Sequence, residues 1–165
     1  MNAAPEIRAA IVDSNGAIGL AKAGCFSFLP AVFDVLLVPP AVVREVTDPI
    51  SAPQLKAALA DWLTCAASSK AMGRVPDFGG PADREALALA LDNSPCVILT
   101  GDRQLIGKAR QLGVLCVNPP LFVQSLAEAG LIPAAKPYLD QMIRRGFGIP
   151  IELYTKMLTA LGERG

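Results

Sequence analysis

Residues 9–15 read A-A-I-V-D-S-N, and this stretch restricts the fold more than any other. Ala9, Ala10, Ile11 and Val12 are apolar, Asp13 ends the run, and Ser14, Asn15 and Gly16 break its pattern. A short apolar run closed by turn formers reads as a buried strand of a parallel sheet. Ligands of open α/β sheets bind beyond the carboxyl ends of such strands, where Asp13 stands. C-V-I-L-T at 96–100 repeats the arrangement, with Gly101 and Asp102 after it. Two such strands in one sheet bring Asp13 and Asp102 to the same edge.

The rest of the chain alternates in kind. Val35 to Val38, bounded by prolines, and V-L-C-V at 114–117 read as further strands. Helical patterns cover 17–23, 26–33, Pro40 to about Val46, Gln54 to about Cys65, 81–92, 102–112, 120–129, 134–145 and 150–161. Residues 47–53 read as a loop, and so do 66–80, with a short strand near Val75. Strands alternating with helices predict an α/β fold with a central, mainly parallel sheet flanked by helices. The length of 165 residues suits one domain.

The chain contains no histidine. This excludes Ser-His-Asp and Cys-His nucleophile pairs, histidine-based ribonuclease chemistry and the H-E-x-x-H zinc motif. Neither a G-x-x-x-x-G-K-[ST] phosphate loop nor G-x-G-x-x-G is present. A haloacid-dehalogenase-type phosphatase would want a second Asp where Asn15 stands. Cys25, Cys65, Cys96 and Cys116 are scattered, with no C-x-x-C, and read as small reduced core residues of a cytoplasmic protein. The first residues lack a basic start followed by a long apolar core and do not read as a signal peptide, and prolines cut the most apolar region, 25–43, into pieces that read as buried core elements and not as a membrane span. Fifteen basic residues balance fifteen acidic ones, so nucleic-acid binding would need a local patch.

Carboxylates and a hard metal are therefore the machinery open to an enzyme here. Strand ends carry Asp13 and Asp102; helices carry Glu45 and, at the start of one, Asp83 and Glu85. Clustered carboxylates repel unless a cation intervenes. Oxygen-only ligands suit magnesium or manganese, and such an ion can activate water for phosphodiester hydrolysis. Each residue also has a plainer role. Asp13 and Asp102 suit helix caps. Asp83 in a first helical turn favours the macrodipole. Glu45 suits a solvated helix face. Asp83 and Glu85 point roughly 200° apart on one helix, so one face does not present both equally. Asp83 continues the stripe of Leu87 and Leu91, whereas Glu85 lines up with Leu89.

The order of these pieces resembles the PIN domain family. I-V-D-S-N-G-A-I-G-L-A-K-A-G, V-L-L-V-P-P-A-V-V-R-E-V, D-R-E-A-L-A-L-A-L and V-I-L-T-G-D-R-Q-L resemble its four acidic segments in order. The stretch from Glu128 to Tyr154 resembles a prokaryotic branch of predicted nucleic-acid-binding proteins. The resemblance implies a PIN-like three-layer fold and a metal-dependent ribonuclease, often the toxin of a toxin–antitoxin pair. It carries catalytic metal ligation onto Asp13, Glu45, Asp83 and Asp102, with Asp83 preferred to Glu85. It places Ser14, Asn15 and Thr100 as polar groups near the metal. Gly101 stands where this branch often has another acid.

The resulting expectation is a magnesium- or manganese-dependent endoribonuclease, with Arg44, Arg103 and Lys108 as candidates to steer the RNA backbone. Each of these cations equally suits a solvated surface. A non-catalytic module that binds RNA or a protein is the main alternative; a small-molecule phosphatase shares the metal chemistry. An antitoxin protein is the implied partner. With 52% hydrophobic residues, a homodimer is also expected, and Leu139, Met142, Ile143, Leu153, Met157 and Leu158 near the C-terminus are read as serving partly packing within the chain and partly that dimer.

Overall fold

Five short strands form one sheet in the order β3-β2-β1-β4-β5, with every neighbouring pair parallel. The structure, a computed structural model, describes residues 6–164. The strands are β1 (Ala9–Val12), β2 (Val35–Val38), β3 (Thr64–Cys65), β4 (Val97–Leu99) and β5 (Leu115–Val117). The helices are α1 (Ser14–Ala23), α2 (Leu29–Val32), α3 (Pro40–Glu45), α4 (Ser51–Leu59), α5 (Pro81–Asp92), α6 (Arg103–Gln111), α7 (Pro119–Glu128), α8 (Lys136–Arg144) and α9 (Ile151–Ala160).

The two-residue alternation of the strands sorts the core into two layers. Ala10, Val12, Val97 and Leu99 pack in the layer that contains Leu20 of α1, Val123 of α7 and Met142 of α8. Ile11 and Ile98 face the opposite layer, with Leu87 and Ala90 of α5 and Leu105 and Ala109 of α6. The result is the expected α/β architecture of three layers.

The strand order fixes where a ligand site belongs. From β1 the chain steps outward through β2 to β3, then returns to place β4 on the other side of β1. The order reverses between β1 and β4, and crevices of parallel sheets open at that point, beyond the carboxyl ends. Val12 pairs with Leu99, so one further step along both strands sets Asp13 beside Thr100.

Several sequence expectations need correction. Ser14, Asn15 and Gly16 are not a turn but the first turn of α1, directly after β1. Gly16 permits this, because a Cβ there would overlap the Leu99 carbonyl. Helix α4 starts at Ser51, inside the expected 47–53 loop. Asp48 caps it by accepting from the Ile50 and Ser51 N–H groups at 3.2 and 2.9 Å. Pro53 is tolerated because N–H groups of a first turn lack intrahelical partners anyway. That helix ends at Leu59, and Thr64–Cys65 form β3 beside Leu37 and Val38 instead of continuing it. The strand expected near Val75 is absent; a single 3-10 turn at Met72–Arg74 precedes Val75. Cys65 is exposed and is not a core residue, unlike Cys25 and Cys96. Leu139, Met142, Met157 and Leu158 are buried within this chain's own core, while Ile143 is exposed. Among the described residues no helix is long and apolar enough to cross a membrane.

Candidate active site

Asp13 lies at the carboxyl end of β1 and is only 2% exposed. It occupies the N-cap position of α1 but makes no capping hydrogen bond through its side chain. Instead the Thr100 hydroxyl donates to its Oδ2 at 2.8 Å. Its Oδ1 is buried with no hydrogen-bond partner among the described residues. Burial pushes the Asp13 carboxyl up to about 6, opposed by the Thr100 bond and the Ser14 backbone, and reinforced by the negative charges of Asp83 and Asp102.

Thr100 binds both strand-end acids. While its hydroxyl donates to Asp13, the same oxygen accepts from the Asp102 backbone N–H at 3.1 Å. Asp102 is also a true helix cap, since its Oδ1 accepts from Leu105 N–H at 2.9 Å. The two readings of Asp102 are therefore compatible: one oxygen caps α6, and its charge still acts on Asp13 and Asp83.

Asp83 approaches from α5. Its Oδ2 accepts from Gly80 N–H at 3.1 Å and steadies the helix start behind Pro81. Burial raises its pKa, with Asp102 and Glu45 adding to the rise against the Gly80 bond. Glu85 is occupied elsewhere. Its Oε1 accepts from Ala41 N–H at 3.1 Å, and Oε2 lies 3.9 Å from the Arg44 guanidinium. Glu85 thus joins α5 to the start of α3. Glu45, the last residue of α3, is exposed, and its Oε2 accepts from the Ser14 hydroxyl at 2.7 Å.

Asn15 holds the remaining corner. Its Oδ1 accepts from Gly101 N–H at 2.6 Å. A Cβ at Gly101 would stand 3.0 Å from that oxygen, so the glycine leaves room for Asn15 where a larger residue would crowd it. Beyond this pair a cavity of about 320 Å³ opens, with Arg103 and Asn118 on its wall. Arg44 lies by a shallower hollow beside Glu45 and Pro81. Lys108 is half-buried on α6 and lines neither cavity. Sequence reasoning missed Asn118, although the signal was there: it follows the apolar run of β5 as Asp13 follows β1.

The donors are all oxygens, the set that suits a hard divalent cation. Among the described residues no three acidic or cysteine side chains gather into a ready-made cage for an ion. The expected four-cornered cage is therefore not preformed. Magnesium does not require one: it keeps several waters and is bound by one or two carboxylates with substrate phosphates. The buried, unpartnered Asp13 Oδ1 is the atom most in need of a positive neighbour, and on that ground the residues fit.

A family model described as a PIN domain matches residues 9–163. The chain belongs to the PIN domain family. No curated protein matches it. Its three layers form a PIN-like fold, and PIN domains are generally nucleases that typically use divalent metal ions.

Proposed function

We propose that this PIN domain is a magnesium- or manganese-dependent endoribonuclease. The carrying observation is Asp13, buried at the sheet's switch point with one oxygen unpartnered and the charges of Asp83 and Asp102 acting on it. A merely structural aspartate gains nothing from that surrounding. Asp13, Asp83 and Asp102 would hold the ion, with Glu45 contributing through water. When bound, such an ion neutralises phosphate charge and acidifies water for attack on phosphorus.

The chain's own residues supply position. Thr100 fixes the carboxylate of Asp13 and the backbone of Asp102 through one hydroxyl. Ser14 holds Glu45 toward the β1 end of the crevice. Asn15 pins the loop between β4 and α6 at Gly101. Arg103, exposed at the start of α6, steers the RNA backbone.

The test is cleavage of a total-RNA pool by purified protein in manganese, in magnesium and in excess chelator. Cleavage is expected with either metal and none in chelator. Activity that survives exhaustive chelation would sink the mechanism. Binding without cleavage in every metal would favour the non-catalytic module. The toxin role rests on the resemblance to the PIN domain family and is tested by expression in cells. The wild type should halt growth, and Asp13→Asn should not. The homodimer is tested by light scattering.

A further inference from the structure

Helix α3 has six residues, and helices this short are not stable on their own in water. It also lacks a local cap. Its N-cap residue is Pro39, whose side chain carries no acceptor. Pro40 has no N–H, and the N–H groups of Val42 and Val43 turn back to the Pro39 carbonyl at 3.1 and 3.4 Å. The Ala41 N–H is left over, on a residue only 5% exposed. It donates to Glu85 Oε1 at 3.1 Å, across 44 residues of sequence. Glu85 thus supplies from α5 the cap that the sequence around α3 does not contain. The Arg44 guanidinium, 3.9 Å from Glu85 Oε2, is largely exposed and adds little.

The far end of α3 is Glu45, whose Oε2 accepts from the Ser14 hydroxyl at 2.7 Å. Helix α3 is therefore held at its start by α5 and at its end by α1. Asp83 is carried by α5, and α1 follows Asp13 directly. These acids oppose the arrangement, since the charge of Glu45 acts on Asp83. Among the described residues the Ala41 bond is the only hydrogen bond between α3 and α5. Without it, a short uncapped helix alone would have to hold Glu45 against that repulsion.

We propose that Glu85 is a positioning residue, which caps α3 from α5 and so keeps Glu45 at the acidic crevice, within reach of the divalent cation. The role rests on that crevice being the metal site of the nuclease. Glu85 acts as a hydrogen-bond acceptor and touches neither ion nor RNA. An amide oxygen at the same place does the same work, whereas a metal ligand would need the charge. A new acceptor at residue 39 also replaces it, because an N-cap side chain reaches the second or third N–H of its helix.

The experiment measures manganese binding to the full chain without RNA, from the electron paramagnetic resonance signal of the free ion. Thermal unfolding is followed on the same preparations. Glu85→Gln should bind manganese as the wild type does. Glu85→Met, of similar length but without an acceptor, should bind about tenfold more weakly, the scale of losing a partner that orients a ligand. Adding Pro39→Ser to Glu85→Met should restore the affinity. In a Glu45→Gln background, Glu85→Met should cost less than about twofold more, because both changes remove one contribution. Wild-type affinity in Glu85→Met overturns the proposal. So does a Glu85→Gln protein as weak as Glu85→Met, which would make the charge the active feature. A full further tenfold loss in the Glu45→Gln background also overturns it. If Glu85→Met does not fold, Pro39→Ser decides: restored folding without restored affinity counts against the role. Cleavage assays in manganese separate this role from the nuclease. The expected binding pattern without RNA cleavage keeps Glu85 as the cap and removes the nuclease. Metal-dependent cleavage with wild-type binding by Glu85→Met does the reverse.

Discussion

Asp13 carries an energetic cost in the metal-free protein, because burial keeps its carboxyl at about 6 against the ordinary 3.8. The folded chain holds a proton across that window which the unfolded chain releases, so stability falls as pH rises from about 4 to about 6. Above that window the full cost is present, about 3 kcal/mol at about 1.4 kcal/mol per tenfold change. Asp13→Asn should therefore stabilise the protein in chelator at pH 7.5 by about 1–3 kcal/mol. The gain should shrink toward zero near pH 4 and cleavage should be lost throughout. Urea unfolding at both pH values measures it, and equal stability at pH 7.5 would mean that burial is not costly there. The preference for Asp83 over Glu85 is also argued at this scale. Glu85 faces Ala41 N–H and Arg44, whereas Asp83 feels Asp102 and Glu45. Asp83→Asn should lower cleavage by at least about tenfold, in the range of lost charge stabilisation. Glu85→Gln keeps an acceptor for Ala41 and should cost less than about 1 kcal/mol, with cleavage near wild type. The reverse order in the two rates would exchange their roles. The helix period alone left this pair undecided, because the partner of Glu85 lies 44 residues away in sequence, on another helix.

Elements with a strong local signal were legible. The apolar runs of β1, β2, β4 and β5 and the proline starts of α3 and α5 agree with the sequence reading to within a residue or two. Elements that depend on a distant partner were not. Thr64 and Cys65 are both exposed and become a strand only through pairing with Leu37 and Val38. Helix α4 begins early because Asp48, in a stretch that composition had assigned to a loop, accepts two N–H groups on its Oδ2. The most informative miss is the start of α1. Serine, asparagine and glycine normally favour turns, but here tertiary packing overrides that preference. Gly16 lets α1 lie against the Leu99 carbonyl, so that α1 begins directly after Asp13. Gly16→Ala gains helix propensity locally but must displace backbone, not a flexible side chain. The expected net result is destabilisation of about 1–3 kcal/mol, the usual cost of overpacking. Cleavage should fall further than stability alone explains, because Asp13 and Thr100 stand on the two strands being separated. Thermal unfolding and cleavage rate, measured on one preparation, check both parts; a more stable Gly16→Ala protein would show that the close approach is not required.

For the molecule as a whole, composition indicated an apolar chain without a charge bias but not where its apolar side chains go. Of those that the sequence divided between packing within the chain and a dimer interface, Leu139 and Met157 are buried in the chain's own third layer. What remains of the whole-molecule signal is electrostatic. Fifteen basic residues balance fifteen acidic ones, and the crevice itself is acidic, so net charge does not draw RNA in. Arg103 is the cation on the wall of the cavity beside the acids, and Arg44 is drawn toward Glu85. Each phosphate neutralised on a single strand contributes about −0.7 to the slope of log affinity against log salt. With one or two such contacts, binding of a single-stranded oligoribonucleotide in chelator should have a slope between about −0.7 and −1.5. Arg103→Ala should flatten that slope by about 0.7, and it should weaken binding of every sequence alike, since a phosphate contact carries no base information. The measurement is a titration series in potassium chloride with wild type and variant. A wild-type slope steeper than about −4 would require about six or more neutralised phosphates. It would mean that RNA lies across a basic surface away from Asp13, and the acidic crevice would no longer be the place where the strand docks.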